Sequence, residues 1–285
     1  MSISIRAASP SDAPALARIC FDAFQDIAGR HGFPPDIPQI EAATGIVSAL
    51  IGHDRVFGVA AEQEGRLVGS NFLDERNIIS GVGPITIDPA AQDGRIGTML
   101  MEAVLARAIE RGAAGVRLVQ AAYHMRSLAL YIKRGFEPRE LLACVQGPPL
   151  AEATSGFEVR PATNADRDAC NVLCARVHGH TRSGELDDAI AQDSAVVVAR
   201  GGRTTGYATA IAFFGHAVGE TTDDLKALIA AAPAIMGAGV LVPTSNAALI
   251  RWCLERGLRI TQTMTLMSIG LYNQPNGAWL PSITY

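Results

Sequence analysis

The chain has 285 residues, 48% of them hydrophobic and 18% charged, with a net charge of −4. That length suits two domains of ordinary size, and the apolar content lets each half bury a core. The slightly acidic balance argues against nucleic acid, which asks for a basic patch. No apolar run is long and unbroken enough to span a bilayer: Ala227–Met236 is short and carries Pro233. The start MSISIRAAS lacks the charged-then-apolar order of a signal peptide. Cys20, Cys144, Cys170, Cys174 and Cys253 are odd in number and scattered, so they make no disulfide framework. The expectation is a cytoplasmic protein with no membrane partner.

In chain order, Ile3, Ile5 and Ala7 alternate with polar residues as an opening strand. Ser11 or Asp12 is placed to cap a helix striped by Ala15, Leu16, Ile19, Cys20, Ala23, Phe24 and Ile27. Gly29, Gly32, Pro34 and Pro35 break the chain, and Ile40 to Ile51 reads as a second helix. Val56–Ala61 and Leu67–Leu73 read as strands around a tight turn at Glu64-Gly65-Arg66. Ile78–Ile87 is a third pass, and its Gly81, Gly83 and Pro84 predict a bulge or splay. A helix to about Arg111 ends at Gly112, Val116–Gln120 is a strand, His124–Arg134 is a helix, and Leu141–Val145 closes the unit as a strand.

The chemistry concentrates in Gly83–Ala106. The strand Ile85-Thr86-Ile87 is broken by Asp88-Pro89, a loop from Ala90 to Arg95 holds Gly94, and Met99, Leu100, Ala103, Val104 and Ala106 recur at helical spacing. A strand, a Gly-containing loop and a helix start present unpaired backbone N–H groups and a favourable dipole to an anion such as a pyrophosphate. No Lys-Ser/Thr pair follows, and G-x-G-x-x-G is absent, so this is neither a P-loop nor a dinucleotide fingerprint.

The stretch resembles the acyl-CoA loop of the GNAT superfamily of N-acetyltransferases, a strand followed by Pro-x-x-Gln/Arg-x-x-Gly-x-Gly/Ala and a helix. Pro89, Gln92 and Gly97 fall on that pattern, and Arg95 stands where the first glycine is expected. A second family motif, Asn-x-x-Ala/Ser-x-x-Leu-Tyr-x-Lys-x-Gly-Phe, is matched by Ser127, Leu130, Tyr131, Lys133, Gly135 and Phe136, with His124 in place of Asn. The two motifs occur in the family's order, and the resemblance covers roughly residues 3 to 147.

The second half looks like a copy that has lost its site. A small-residue linker at 148–156 is followed by Phe157–Ala162, which echoes Ile3–Ala8, and by a helix to about Val177. Ala195–Arg200, Thr205–Phe214 and Val240–Pro243 read as strands, and Asn246–Leu258 parallels His124–Phe136 with Cys253 at the tyrosine position. The glycine loop is missing. Glu220, Asp223 and Asp224 stand at the corresponding helix start, where they repel a pyrophosphate. The expected organisation is an α/β (α+β) pair of tandem GNAT-like domains, each a mixed, mostly antiparallel sheet flanked by helices: 1–147 catalytic, 148–156 linker, 157–285 degenerate.

The resemblance implies acetyl-CoA as acyl donor, without a metal, and direct attack by a primary amine in a ternary complex. Ile85, Thr86 and Ile87 are expected along the pantetheine arm. Gln92, Asp93, Gly94, Arg95, Ile96, Gly97 and Thr98 are expected at the pyrophosphate, with His124 and Ser127 near the cofactor. Arg95 is costly if the backbone needs positive φ; otherwise its guanidinium offers a phosphate contact. Tyr131 is the candidate general acid for the leaving thiolate, its alternative being a half-buried core tyrosine. Asp74 and Glu75 are candidate bases, or exposed turn carboxylates. Cys170, Cys174 and His178 share a helix face that reads as packing, as do Trp252 and Trp279, and His216 and Glu220 read as structural. Acceptor specificity is assigned to Phe21–Ala49 and the second half. The acceptor is a small molecule or a peptide amine. A homodimer is one expected assembly, with Asn273–Tyr285 either an arm across a neighbour or a loose end. The rival reading is a non-catalytic acyl-CoA-binding, sensor or interaction module.

Overall fold

The computed structural model describes residues 2–91 and 95–285. In the first half, β1 (Ile3–Ala7) leads into α1 (Ala13–His31) and α2 (Ile40–Gly52). Leu16, Ala17, Ile19 and Cys20 bury the stripe of α1, and Gly32 ends it in the left-handed region at φ 71°. β2 (Val56–Gln63) and β3 (Arg66–Asp74) form a hairpin. β4 (Ile79–Val82) and β5 (Thr86–Ile87) are two short strands rather than one, separated at 83–85 where the glycine and proline predict a splay. α3 (Ile96–Glu110), β6 (Gly115–Ala121), α4 (Met125–Lys133) and β7 (Glu137–Gln146) follow. The buried face of α3 is Ile96, Leu100, Met101, Val104 and Ala108, with Ala106 exposed, so it is turned slightly from the spacing read in the sequence.

The second half comprises β8 (Glu158–Pro161), α5 (Arg167–His178), α6 (Ser183–Ala191), β9 (Val196–Arg200), β10 (Arg203–Ala208), β11 (Ala217–Gly219), α7 (Thr222–Ala231), β12 (Val240–Pro243), α8 (Ala247–Glu255), β13 (Arg259–Gly270) and β14 (Ala278–Leu280). The echo between the two openings extends to side chains. Arg6 donates to Asp12 at 2.7 and 2.9 Å, and Asp12 accepts from the Ser9 backbone N–H. Arg160, Asp166 and Thr163 repeat the arrangement, with Arg160 donating at 2.9 and 2.6 Å. In each case the carboxylate satisfies free N–H groups at a helix start, and its arginine partner holds its pKa well below the usual range.

The sheets do not divide at residue 147. Nine strands make one sheet in the order β1-β2-β3-β4-β6-β13-β7-β12, with β5 added to β3. β13 of the second half lies between β6 and β7, and β7 in turn lies between β13 and β12. Each half therefore completes its neighbour's sheet. The strand at Leu141–Val145 is present, but β13, not read from the sequence, separates it from β6. The remaining sheet is β14-β11-β10-β9-β8. Asn273–Tyr285 packs on its own chain: β14 pairs with β11, and Trp279, Leu280 and Tyr285 are buried. It is neither an arm across a neighbour nor a loose end.

Alternation along the large sheet sorts the packing. Val59, Ala61 and Leu118 face α3 and α4, while Ala60 and Phe72 face α1 and α2. Leu142, Cys144, Met264 and Leu266 face α5 and α6, placing the second half beside α1 and α2 on that side. Polar contacts join the halves there: Arg76 bonds Asp188 at 3.0 Å, and the Gly184 N–H donates to Asn77 at 3.0 Å. Arg117 and Arg182 each stand 4.1 Å from the centre of the Tyr285 ring. Gly81 is required for this closure, because a Cβ there would fall 1.9 Å from the Thr284 carbonyl oxygen. All five cysteines are free and buried. Among the described residues no helix is long and apolar enough to cross a membrane, and no group of three His, Cys, Asp or Glu is arranged to hold a metal.

Candidate active site

β4 and β6 are parallel neighbours only from Ile79–Gly115 to Gly81–Arg117. Beyond that point residues 83–85 carry the chain away, and Thr86 and Ile87 pair instead with Ser70 and Gly69 on β3. The central strands part, and a cleft of about 330 Å³ fills the gap, within the range of small-molecule sites. Ile85, Thr86, Ile87, Ile96, Gly97, Thr98, His124, Ser127 and Tyr131 all line it. Nine residues expected at the cofactor from two separate motifs thus share one space.

The first turn of α3 points its N-terminus at this cleft. Among the described residues, its N-cap, Arg95, makes no side-chain cap and the first turn carries no acid, so none of them takes the backbone donors and the dipole from an anion there. Gly97 keeps the approach open: a Cβ would meet the Ile87 side chain at 3.0 Å. Arg95 itself is exposed and does not line the cleft. Gln92, Asp93 and Gly94 lie outside the described residues.

α4 supplies the polar end. His124 is its N-cap, and the Ser127 hydroxyl bonds the His124 ring and contacts the Tyr131 phenol. Burial pulls the His124 imidazole down to about 4, helped by His31, Arg126 and Arg30 nearby, so the ring is neutral at pH 7. Burial also pushes the Tyr131 phenol up to about 12, against the Ser127 hydrogen bond. The phenol therefore keeps its proton at pH 7 and is a donor. It packs edge-on against Phe136, 6.1 Å between ring centres.

The two carboxylates expected as bases are not brought to the cleft. Asp74 is gripped by Arg76, with hydrogen bonds from 2.5 to 3.0 Å. Glu75 accepts from Arg107 at 2.7 and 3.2 Å. Both were read from strand-end position alone, and both serve ion pairs.

The cleft instead contains polar residues the sequence did not single out. Asp36, between α1 and α2, accepts a hydrogen bond from Gln262 of β13, and burial pushes its carboxyl up to about 6 against that bond. Gln120 of β6 is buried, and neither atom of its side-chain amide has a partner among the described residues. Tyr123 stacks on Phe33, 4.3 Å between ring centres, and Phe213, Phe214, Met264, Ile283 and Thr284 reach in from the second half. Phe21–Ala49, expected to carry specificity, does contribute Asp36, Ile37 and Ile46.

The second half presents the same elements closed. β14 lies along β11. At α7, Thr221 and Asp224 form a capping box, and Asp224, fully buried, also accepts from Thr205 at 2.5 Å. Glu220 is held by Arg203 and Arg176.

Residues 18–136 match the model of the acetyltransferase (GNAT) family. The fold agrees along the whole chain. A Pyrococcus horikoshii structure assigned as an acetyltransferase superposes with a TM-score of 0.73 at 15% identity, covering 97% of this chain and 94% of its own. The GCN5-related N-acetyltransferase from Sphaerobacter thermophilus gives a TM-score of 0.61 at 16% identity, covering 96% and 98%. At these identities the likeness is one of fold, and it includes both halves. No curated protein sequence matches the chain. Residues 18–136, which supply most of the lining of the cleft, carry the match to the acetyltransferase (GNAT) family, and the chain as a whole shares the fold of the two structures above.

Proposed function

We propose that this enzyme moves an acetyl or short acyl group from acyl-CoA to a primary amine, by direct attack in a ternary complex held in the first-half cleft. The observation that carries the reading is the continuity of the cleft. One space joins the uncapped start of α3, the parted strands and the Tyr131 phenol to the opposite face of the sheet. The start of α3 and its preceding loop would hold the pyrophosphate, with Ile85, Thr86 and Ile87 along the pantetheine arm. When bound, the donor supplies an activated thioester carbonyl.

The residues of the chain do the rest. Backbone N–H near Ile87 would meet the developing oxyanion. Tyr131, protonated at pH 7 and inside the cleft, would protonate the leaving sulfur. His124, neutral and bonded to Ser127, would orient the polar end of α4. Residues 1–147 would form the donor-binding domain and 157–285 a degenerate copy that binds no CoA and walls the acceptor side, with 148–156 as linker. The repeated Arg–Asp devices at the two openings support the duplication.

Acetyl-CoA should raise the melting temperature, because a ligand that binds only the native state stabilises it. Thiol release with an amine panel should follow. Tyr131→Phe should lower kcat about 100-fold while leaving the acetyl-CoA stabilisation in place. A Phe variant as active as the parent would remove the general-acid role, and binding without turnover on any amine would leave a binding module.

A further inference from the structure

We infer that the end of the cleft away from α3 and α4 is an acceptor subsite for a small primary amine carried on an apolar, aryl-bearing body, with Asp36 receiving its ammonium group. This rests on the acyl-transfer reading above and goes beyond it by naming the acceptor class and the proton acceptor.

Asp36 lines the cleft from the α1–α2 connection, on the sheet face shared with the second half. Its hydrogen-bond donor is the Gln262 side chain, and among the described residues no Lys, Arg or His acts on its carboxyl. A carboxylate taken out of water without a counter-cation is costly. The cation it lacks is what an ammonium group brings. Arg126 and His124 also line the cleft and His31 packs on Tyr123, but only burial and the Gln262 hydrogen bond act on the Asp36 carboxyl. Burial pushes Tyr123, beside Asp36, up to about 12, and Cys144 on β7 up to about 11. Both are uncharged at pH 7.

The walls around Asp36 select the rest of the acceptor. Phe24, Ile27 and Ile37 of the first half and Phe213, Phe214 and Met264 of the second line the same cleft, apolar surface that an alkyl or aryl body would bury. Neither half makes this subsite alone: Asp36 comes from the first and its donor Gln262 from the second. Gln120 shares its sheet face with Leu118, on the Tyr131 side. Its unpartnered amide offers a donor and an acceptor between the two ends.

The reaction balances with these groups. Asp36 takes one ammonium proton, freeing the lone pair that forms the N–C bond to the acyl carbon. Tyr131 protonates the sulfur as the C–S bond breaks, and regains a proton from the nitrogen. Asp36 then releases its proton to solvent. Amide, thiol and one proton leave.

The test uses acetyl-CoA with 2-phenylethylamine, spermidine, free alanine and a peptide N-terminus as acceptors. The expected preference is for 2-phenylethylamine, by at least tenfold in kcat/KM. Asp36→Asn should lower that kcat/KM at least 100-fold, abolish calorimetric binding of 2-phenylethylamine, and leave the acetyl-CoA thermal shift unchanged. In the parent enzyme kcat/KM should fall on an acid limb near pH 6. Gln262→Leu, which removes the donor favouring the charged carboxylate, should move that limb to higher pH. An Asn variant with parental kcat/KM overturns the role of Asp36, and a preference for spermidine, alanine or the peptide overturns the acceptor class. Absence of any acetyl-CoA shift, with 2-phenylethylamine still bound through Asp36, sinks the acyl-transfer reading and leaves the amine subsite standing.

Discussion

The two halves open with the same local device and end with opposite sites. In the first, the strands part over a cleft, and among the described residues α3 starts with no side-chain cap and no acid in its first turn. In the second, β14 fills the edge of β11, and α7 starts on Thr221 with Asp223 and Asp224 in its first turn. An anion site at a helix start is available donors and dipole. Asp224 consumes both from within, accepting from the Thr221 N–H and hydroxyl at 2.8 and 2.7 Å. In the second half, the interactions an anion would make at a helix start are supplied by the chain itself.

The largest expected effect comes from emptying the filled half. Trp279→Ala should cost about 3–5 kcal/mol in denaturant unfolding, as for other buried aromatic truncations, because Trp279, on the strand beside β11, is 6% exposed in the core. It should confer no CoA binding, since Asp224 still closes α7. Acetyl-CoA protection at α7 by hydrogen exchange would break the comparison.

Asp224→Ala should cost about 2–3 kcal/mol, a cap plus orphaned donors, measured the same way. In the open half the sign reverses. The Asp36 carboxyl sits at about 6 against an ordinary 3.8, so the native state keeps a proton that the unfolded state has released between those values. The contribution of Asp36 to stability is thus greatest below about pH 4 and is lost as pH rises through about 6. Asp36→Asn should accordingly stabilise the protein by about 1–2 kcal/mol at pH 7 and by nothing at pH 4, even as it removes activity.

The smallest effect sharpens the likeness. Arg6→Ala and Arg160→Ala should each cost under about 1 kcal/mol, because both arginines are over a third exposed and screened. Equal losses, fading as acid protonates Asp12 and Asp166, would confirm that the two openings are equivalent. Unequal losses would show that the halves have diverged there too.

Local signals were readable in the amino-acid order wherever one segment supplies the whole device. The splay at Gly83-Pro84, the start of α3, the run from His124 to Phe136 and the acids at α7 are of this kind. Each depends on backbone geometry and helix periodicity within a few residues. Three things depended on tertiary structure. Arg259–Gly270 is not read as a strand from the sequence, and its own residues do not say that it enters the sheet between β6 and β7. Asp74 and Glu75 end a strand near the cleft, yet arginines distant in sequence, or a local turn, turn them away. Asp36 looks like one more loop carboxylate until Gln262, from the far end of the chain, lies against it. Strand partners and carboxylate environments are set by which distant surfaces bury one another, and that information belongs to no single stretch of sequence.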